Sequence, residues 1–180
     1  LVSTDHTEGF GEGVTAPLVE RIGLFTIIVL GETVVGVVGG ISDAEQRDTR
    51  TIVTGIVALT IGMGIWWNYF DMLGRRVPGQ RGPRLANWLY AHLLLTMATA
   101  AAGAATVSLV GHAAETEASA PASWLLTGSI AVTLAAIAVA CTALPVDEFP
   151  PGMRAWIAPT LAIAAVIPLS VAAVGSSVIV

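Results

Sequence analysis

The sequence predicts an all-α fold, a polytopic transmembrane bundle of five spanning helices. The 180 residues are 54% hydrophobic and only 12% charged. An ordinary soluble domain carries about 25% charged residues, so the solvated surface needed in water is missing. The apolar residues are pooled in five long runs rather than spread along amphipathic stripes. Each run meets the roughly 20 residues needed to cross about 30 Å of hydrocarbon. Inside lipid each backbone group must be satisfied within its own segment, which selects helices, whereas barrel strands would alternate apolar and polar positions.

Residues 1–21 read as a cytoplasmic-side segment and 22–180 as the bundle. Gly9, Gly11 and Gly13 have no preceding strand and no following Gly-Lys-Ser/Thr, so they read as a flexible linker, not a phosphate loop. The first run is Ile22 to Ile41, and a charged connector from Ser42 to Arg50 leads to the second, Thr51 to Phe70. The Val77–Pro83 turn, with two Pro and two Gly, precedes the third run, Ala86 to Gly111. The fourth is Ser123 to Leu144. After a connector holding Pro145, Pro150 and Pro151, the fifth runs from Ala155 to Val180, where Pro168 is expected to kink it. Short connectors imply that neighbouring helices pack antiparallel. The chain opens at Leu1 without a methionine or a signal-peptide pattern and closes while still apolar, so it reads as a fragment with further helices expected upstream.

Charge sets the orientation and excludes one class of partner. Eight Arg, no Lys and 13 acids give a net charge of −5, which lacks the basic face nucleic acid requires. Arg21, Arg75, Arg76, Arg81, Arg84 and Arg154 fall on one side of a five-crossing topology, and only Arg47 and Arg50 on the other. The positive-inside rule then places the N-terminal segment and the 71–85 loop in the cytoplasm and the Glu115/Glu117 loop outside. Cys141, the single cysteine, allows no disulfide within the chain.

Glu32 is the sole Asp, Glu or Arg inside the five runs. It lies about 15 Å along its helix, near the membrane midplane, where a charge costs about 2.5–3.5 kcal/mol. It is therefore expected to be protonated, paired or facing a wet cavity, and to point into the bundle. One reading makes it a proton or cation relay; the other makes it a carboxyl that hydrogen-bonds a neighbouring helix and fixes packing. Glu20 and Arg21 occupy the cytoplasmic mouth of the same helix, with Arg21 three turns from Glu32 and about 16 Å away on nearly the same face. Gly36 and Gly40, joined by Gly39, form a notch for close helix packing.

In the third run His92, Thr96, Thr99, Gly103 and Thr106 recur at steps of four, three, four and three, which places a polar stripe on one face. Asp71 can pair with Arg75, or reach toward Arg21 or His92. Trp66, Trp67, Tyr69 and Phe70 read as an aromatic belt at the headgroups. No His-x-x-x-His, Ser-Lys pair, paired aspartates or metal-ligand cluster occurs, so neither an enzyme nor a metal or cofactor site is expected.

The blocks VERIGLFTIIVLGET from Val19 to Thr33, IWWNYFD from Ile65 to Asp71 and WLYAH from Trp88 to His92 resemble, in order, the bacterial low temperature requirement protein A (LtrA) family. The likeness covers roughly residues 17–112; downstream it is mainly hydropathy. It implies a polytopic bacterial inner-membrane protein, named for a requirement during growth in the cold, with no established substrate. Family members often carry a His three residues before the Glu-Arg pair, where this chain has Pro17, so a role depending on that His does not transfer. The expected function is that of a transporter or channel-like protein for a proton, ion or small solute. In it Glu32 would exchange the proton or cation while Asp71, His92, Glu20 and Arg21 shape cytoplasmic access. The rival is a non-transporting structural or sensory membrane protein linked to growth at low temperature. Expected partners are the lipid bilayer, upstream helices of the same protein and further copies of the chain in a homo-oligomer.

Overall fold

The computed structural model describes residues 16–44, 47–78, 83–114, 119–145, 147, 149 and 152–177. These form five helices: α1 (Ala16–Asp43), α2 (Thr49–Met72), α3 (Pro83–Gly111), α4 (Ala120–Thr142) and α5 (Met153–Ser177). No strand occurs among the described residues. The glycine linker at 9–13 and the Glu115/Glu117 loop lie outside them.

Four helices, α1 to α4, are long and apolar enough to cross a membrane. The expected fifth crossing is helical, yet its apolar stretch among the described residues is Ala155–Ile167, shorter than the others. Helix α1 starts at Ala16, six residues ahead of the apolar run, so part of the expected cytoplasmic-side segment is helical. Pro17 is tolerated there because the first turn has no use for its missing N–H. Pro83 opens α3 for the same reason.

Asp48 caps α2, its carboxylate accepting from the Thr51 backbone N–H at 2.9 Å and from the Thr51 hydroxyl at 3.1 Å. The Thr51 N–H bond above all holds the Asp48 carboxyl below its usual range. A depressed carboxyl stabilises the fold above its unfolded value, and that contribution is lost as pH falls through the folded value. Asp48→Ala is expected to lower stability at neutral pH, with the gap to wild type closing as pH drops below about 4. Thermal unfolding of both proteins across that range checks this; a gap that widens on acidification would contradict it.

Helix α3 is the centre of the bundle, with α1 packed on one side and α4 on the other; α2 lies against α1, and α5 against α4. Contacts fix the directions. Gly36 of α1 meets Gly103 of α3 and Gly40 meets Val107 and Val110, so these helices run parallel. Gly62 meets Thr33 while Gly55 meets Val37 and Ile41, so α2 runs antiparallel to α1. The main core lies toward the α1 N-terminal end, around Tyr69, Trp88, Leu95, Ile137 and Leu144; a smaller cluster of Val37, Ala58 and Val110 lies toward the other. Large outward-facing residues such as Ile28, Trp67 and Trp156 suit a lipid-facing surface. In lipid such helices are held by close packing and interhelical hydrogen bonds, not by escape from water.

Candidate functional site

The buried face of α1 consists of Val19, Gly23, Thr26, Leu30, Thr33, Gly36, Val37 and Gly40. Glu32 precedes Thr33 and is turned about 100° from it, so it leaves that face. It is exposed on the outer surface of the described bundle, contrary to the expectation that it points inward. Its stem rests against α3: a Cβ built on Gly103 would lie 3.4 Å from Glu32 Cγ and 3.3 Å from the Glu32 carbonyl carbon. Gly103 thus opens the notch in which the acid lies. Glu32 has no hydrogen bond or ion pair among the described residues.

The glycine seam beside it is tight. A Cβ on Gly36 would approach the Gly103 carbonyl oxygen at 2.9 Å, and one on Gly40 would approach Val110 Cβ at 2.8 Å and the Val107 carbonyl oxygen at 2.9 Å. Gly39, expected to share this notch, has nothing within 4 Å and faces open space.

A second polar centre lies inside the bundle. Residues His92, Thr96, Thr99, Gly103 and Thr106 are all buried, as their spacing predicts. The three threonine hydroxyls donate within their own helix, to the carbonyls of His92, Leu95 and Ala102 at 2.8–2.9 Å. Their donors are thereby used up. His92 Nδ1 is 2.7 Å from the Trp88 carbonyl oxygen, which can only accept, so Nδ1 carries the hydrogen. Nε2 then accepts from the Tyr69 hydroxyl at 3.3 Å. The phenol oxygen also lies against the Thr26 hydroxyl of α1, whose own hydrogen goes to the Ile22 carbonyl at 2.9 Å, so α1, α2 and α3 meet in one knot. Trp88 packs against the imidazole, the rings tilted by 46° with 4.1 Å between centroids. Trp88 Nε1 and Thr133 Oγ1 are buried with no partner among the described residues.

Asp71 is not the partner of His92. Two residues beyond Tyr69 it is rotated about 200° round α2, and it is exposed. Its carboxylate forms no ion pair with Arg75, Arg21 or His92 among the described residues; its backbone carbonyl accepts from Arg76 Nη1. Arg76 also lies over the Phe149 ring, 4.7 Å from its centroid, and ties the α2–α3 turn to the segment after α4. Glu20 and Arg21 are both exposed and point to different sides of α1. The structure therefore groups Tyr69, His92, Thr26 and Trp88, and leaves Glu32 apart from them.

The model of the bacterial low temperature requirement A protein (LtrA) family matches residues 15–180. The chain belongs to the LtrA family. The match carries the family past residue 112, where the sequence offered only hydropathy, through α4 and α5. No curated protein and no solved structure matches the chain. In this LtrA family member the three motif blocks occupy distinct places. The Gly-Glu of the first supplies Glu32, and the second and third supply the Tyr69–His92 bond. Thr26 and Tyr69 join this centre although the sequence reading left them out of it; Tyr69, expected in an aromatic belt at the headgroups, is buried in the bundle. The signal for Tyr69 was the spacing of Thr51, Gly55, Ala58, Ile65 and Tyr69 along one helical face.

His92→Ala is expected to cost roughly 1–3 kcal/mol by leaving the Tyr69 hydroxyl buried without its acceptor. Tyr69→Phe leaves His92 Nε2 buried without its donor and should cost a similar amount, about 1–3 kcal/mol. Unfolding in mixed micelles titrated with SDS measures both; the double substitution should cost less than the sum of the two, and strict additivity would refute the knot's hydrogen-bond scheme.

Proposed function

We infer that this LtrA family protein is a transporter for a proton, an ion or a small solute, with Glu32 as its exchanging group. The observation that carries the reading is an acid in the middle part of a helix long and apolar enough to cross a membrane, on the surface of the described bundle, with no polar partner there. Facing hydrocarbon, it would cost about 2.5–3.5 kcal/mol if charged. A further helix, upstream in the same protein or in a second copy, covers this face and forms a polar path with it. Arg21 lies on the same flank of α1, three turns toward the N-terminus, and guards the cytoplasmic mouth. The Tyr69–His92 knot is static: its groups are bonded to one another and hold the three helices in register. The protein sits in the bacterial inner membrane with the α1 N-terminus in the cytoplasm, α5 makes the fifth crossing, and it works without enzymatic chemistry.

A second reading is supported by the Gly103 notch, where Glu32 lies at the close approach of α1 and α3. There the acid serves as an interhelical hydrogen-bonding group that fixes packing. Ion flux in proteoliposomes, read with pH and membrane-potential dyes, separates the two. Loss of flux in Glu32→Gln with assembly intact supports transport, whereas equal flux overturns it in favour of the structural role.

A further inference from the structure

Two clefts lie at the α1–α2 boundary and a third opens beside them on α2 and the turn that follows it; their shared lining residues make the three one furrow. The first, about 560 Å³, is apolar and lies between Ile27 and Gly31 of α1 and Leu59, Gly62 and Trp66 of α2. It shares Ile27 with a cleft of about 390 Å³ lined by Glu20, Phe70 and Arg75. It shares Trp66 with a third, lined by Phe70, Asp71, Arg75 and Arg76. The two charged clefts themselves share Phe70 and Arg75. From Leu59 to Phe70 the furrow follows roughly 16 Å of helix, about half of a 30 Å hydrocarbon core. It is therefore one leaflet deep, apolar at mid-membrane and charged at the end where α1 begins.

We propose that this furrow binds one zwitterionic phospholipid with a primary ammonium headgroup, its acyl chain against Gly31 and Gly62 and its headgroup among Glu20, Asp71 and Arg75. Charge complementarity selects the headgroup. Arg76 is engaged by the Asp71 carbonyl and the Phe149 ring, which leaves Arg75, exposed, as the partner of the phosphate. Glu20 and Asp71, also exposed, flank it. A phosphate alone would meet Arg75 but face two carboxylates. A headgroup with both signs satisfies all three, and an ammonium with N–H donors makes charge-assisted bonds to carboxylates that a quaternary amine cannot. This site does not depend on the role of Glu32.

The intact protein is reconstituted with an equimolar mixture of ethanolamine-, choline- and glycerol-headgroup phospholipids carrying identical chains. Lipid retained after delipidation is then counted by native mass spectrometry. The ethanolamine lipid is expected to be retained about tenfold over each of the others, the ratio that corresponds to 1.4 kcal/mol. Combining Glu20→Gln with Asp71→Asn should move the preference to the anionic glycerol lipid, and Arg75→Gln should lower retention of all three while leaving the anionic lipid the least retained. Gly31 has nothing within 4 Å of its Cβ position, so Gly31→Leu should fold and lose all three lipids alike. Equal retention of the three headgroups by wild type would overturn the proposal. So would displacement of the lipid by soluble phosphoethanolamine at equal concentration, or a dimer that Gly31→Leu dissociates while lipid retention is unchanged.

Discussion

Gly40→Leu is expected to destabilise the protein by roughly 3 kcal/mol, the upper end of what overpacking a tight contact costs. A Cβ at this position meets the Val107 carbonyl oxygen at 2.9 Å, Val110 Cβ at 2.8 Å and the Gly111 amide nitrogen at 3.1 Å. Two of these atoms are backbone and cannot rotate away, so α1 and α3 must separate. Separation also removes the seam that places Gly103 beside Glu32, so the damage reaches the candidate site. The control is one residue away: Gly39 has nothing within 4 Å, and Gly39→Leu should unfold near the wild-type SDS concentration. Equal loss from both substitutions would mean that composition, not the crossing of α1 and α3, governs this region.

The second large effect is expected at Glu32. Glu32→Gln should reduce ion flux by roughly 100-fold, the scale on which losing a positioned proton-transfer group acts, with little change in assembly. Glu32→Leu distinguishes two surroundings by sign. On a lipid-facing surface it would remove a carboxyl from hydrocarbon and would not destabilise the protein. Against a covering polar helix it removes a partner and destabilises. The account predicts the second sign, together with loss of flux.

The helices were legible because a charge-free run of about 20 residues has few ways to satisfy its backbone except as a spanning helix. Their ends were less so. A hydropathy window stops at Glu20 and Arg21, while the helix starts earlier, at Ala16. The α3 stripe from His92 to Thr106 was legible from its spacing, since polar residues on an otherwise apolar helix mark a face. Glu32 lies on the outer side of the described bundle and not inside it, because α1 is apolar all round and no amphipathic contrast tells which flank meets a neighbour. The sequence leaves Asp71 three candidate partners, Arg75, Arg21 and His92, because nearness along the membrane normal does not choose among them. Rotation decides instead, as Tyr69 points inward when Asp71 points out.

Whether Glu32 is sheltered can be measured directly. In a Cys141→Ala background of the intact protein in nanodiscs, a spin label is placed at Glu32→Cys or at Gly64→Cys, and its relaxation by oxygen is compared. Gly64 is exposed with nothing within 4 Å, and its neighbour Gly62 touches Thr33, so the two sites lie at similar depth. A covered Glu32 face predicts markedly weaker oxygen relaxation at position 32 than at 64. Equal, lipid-like relaxation at both positions would contradict it.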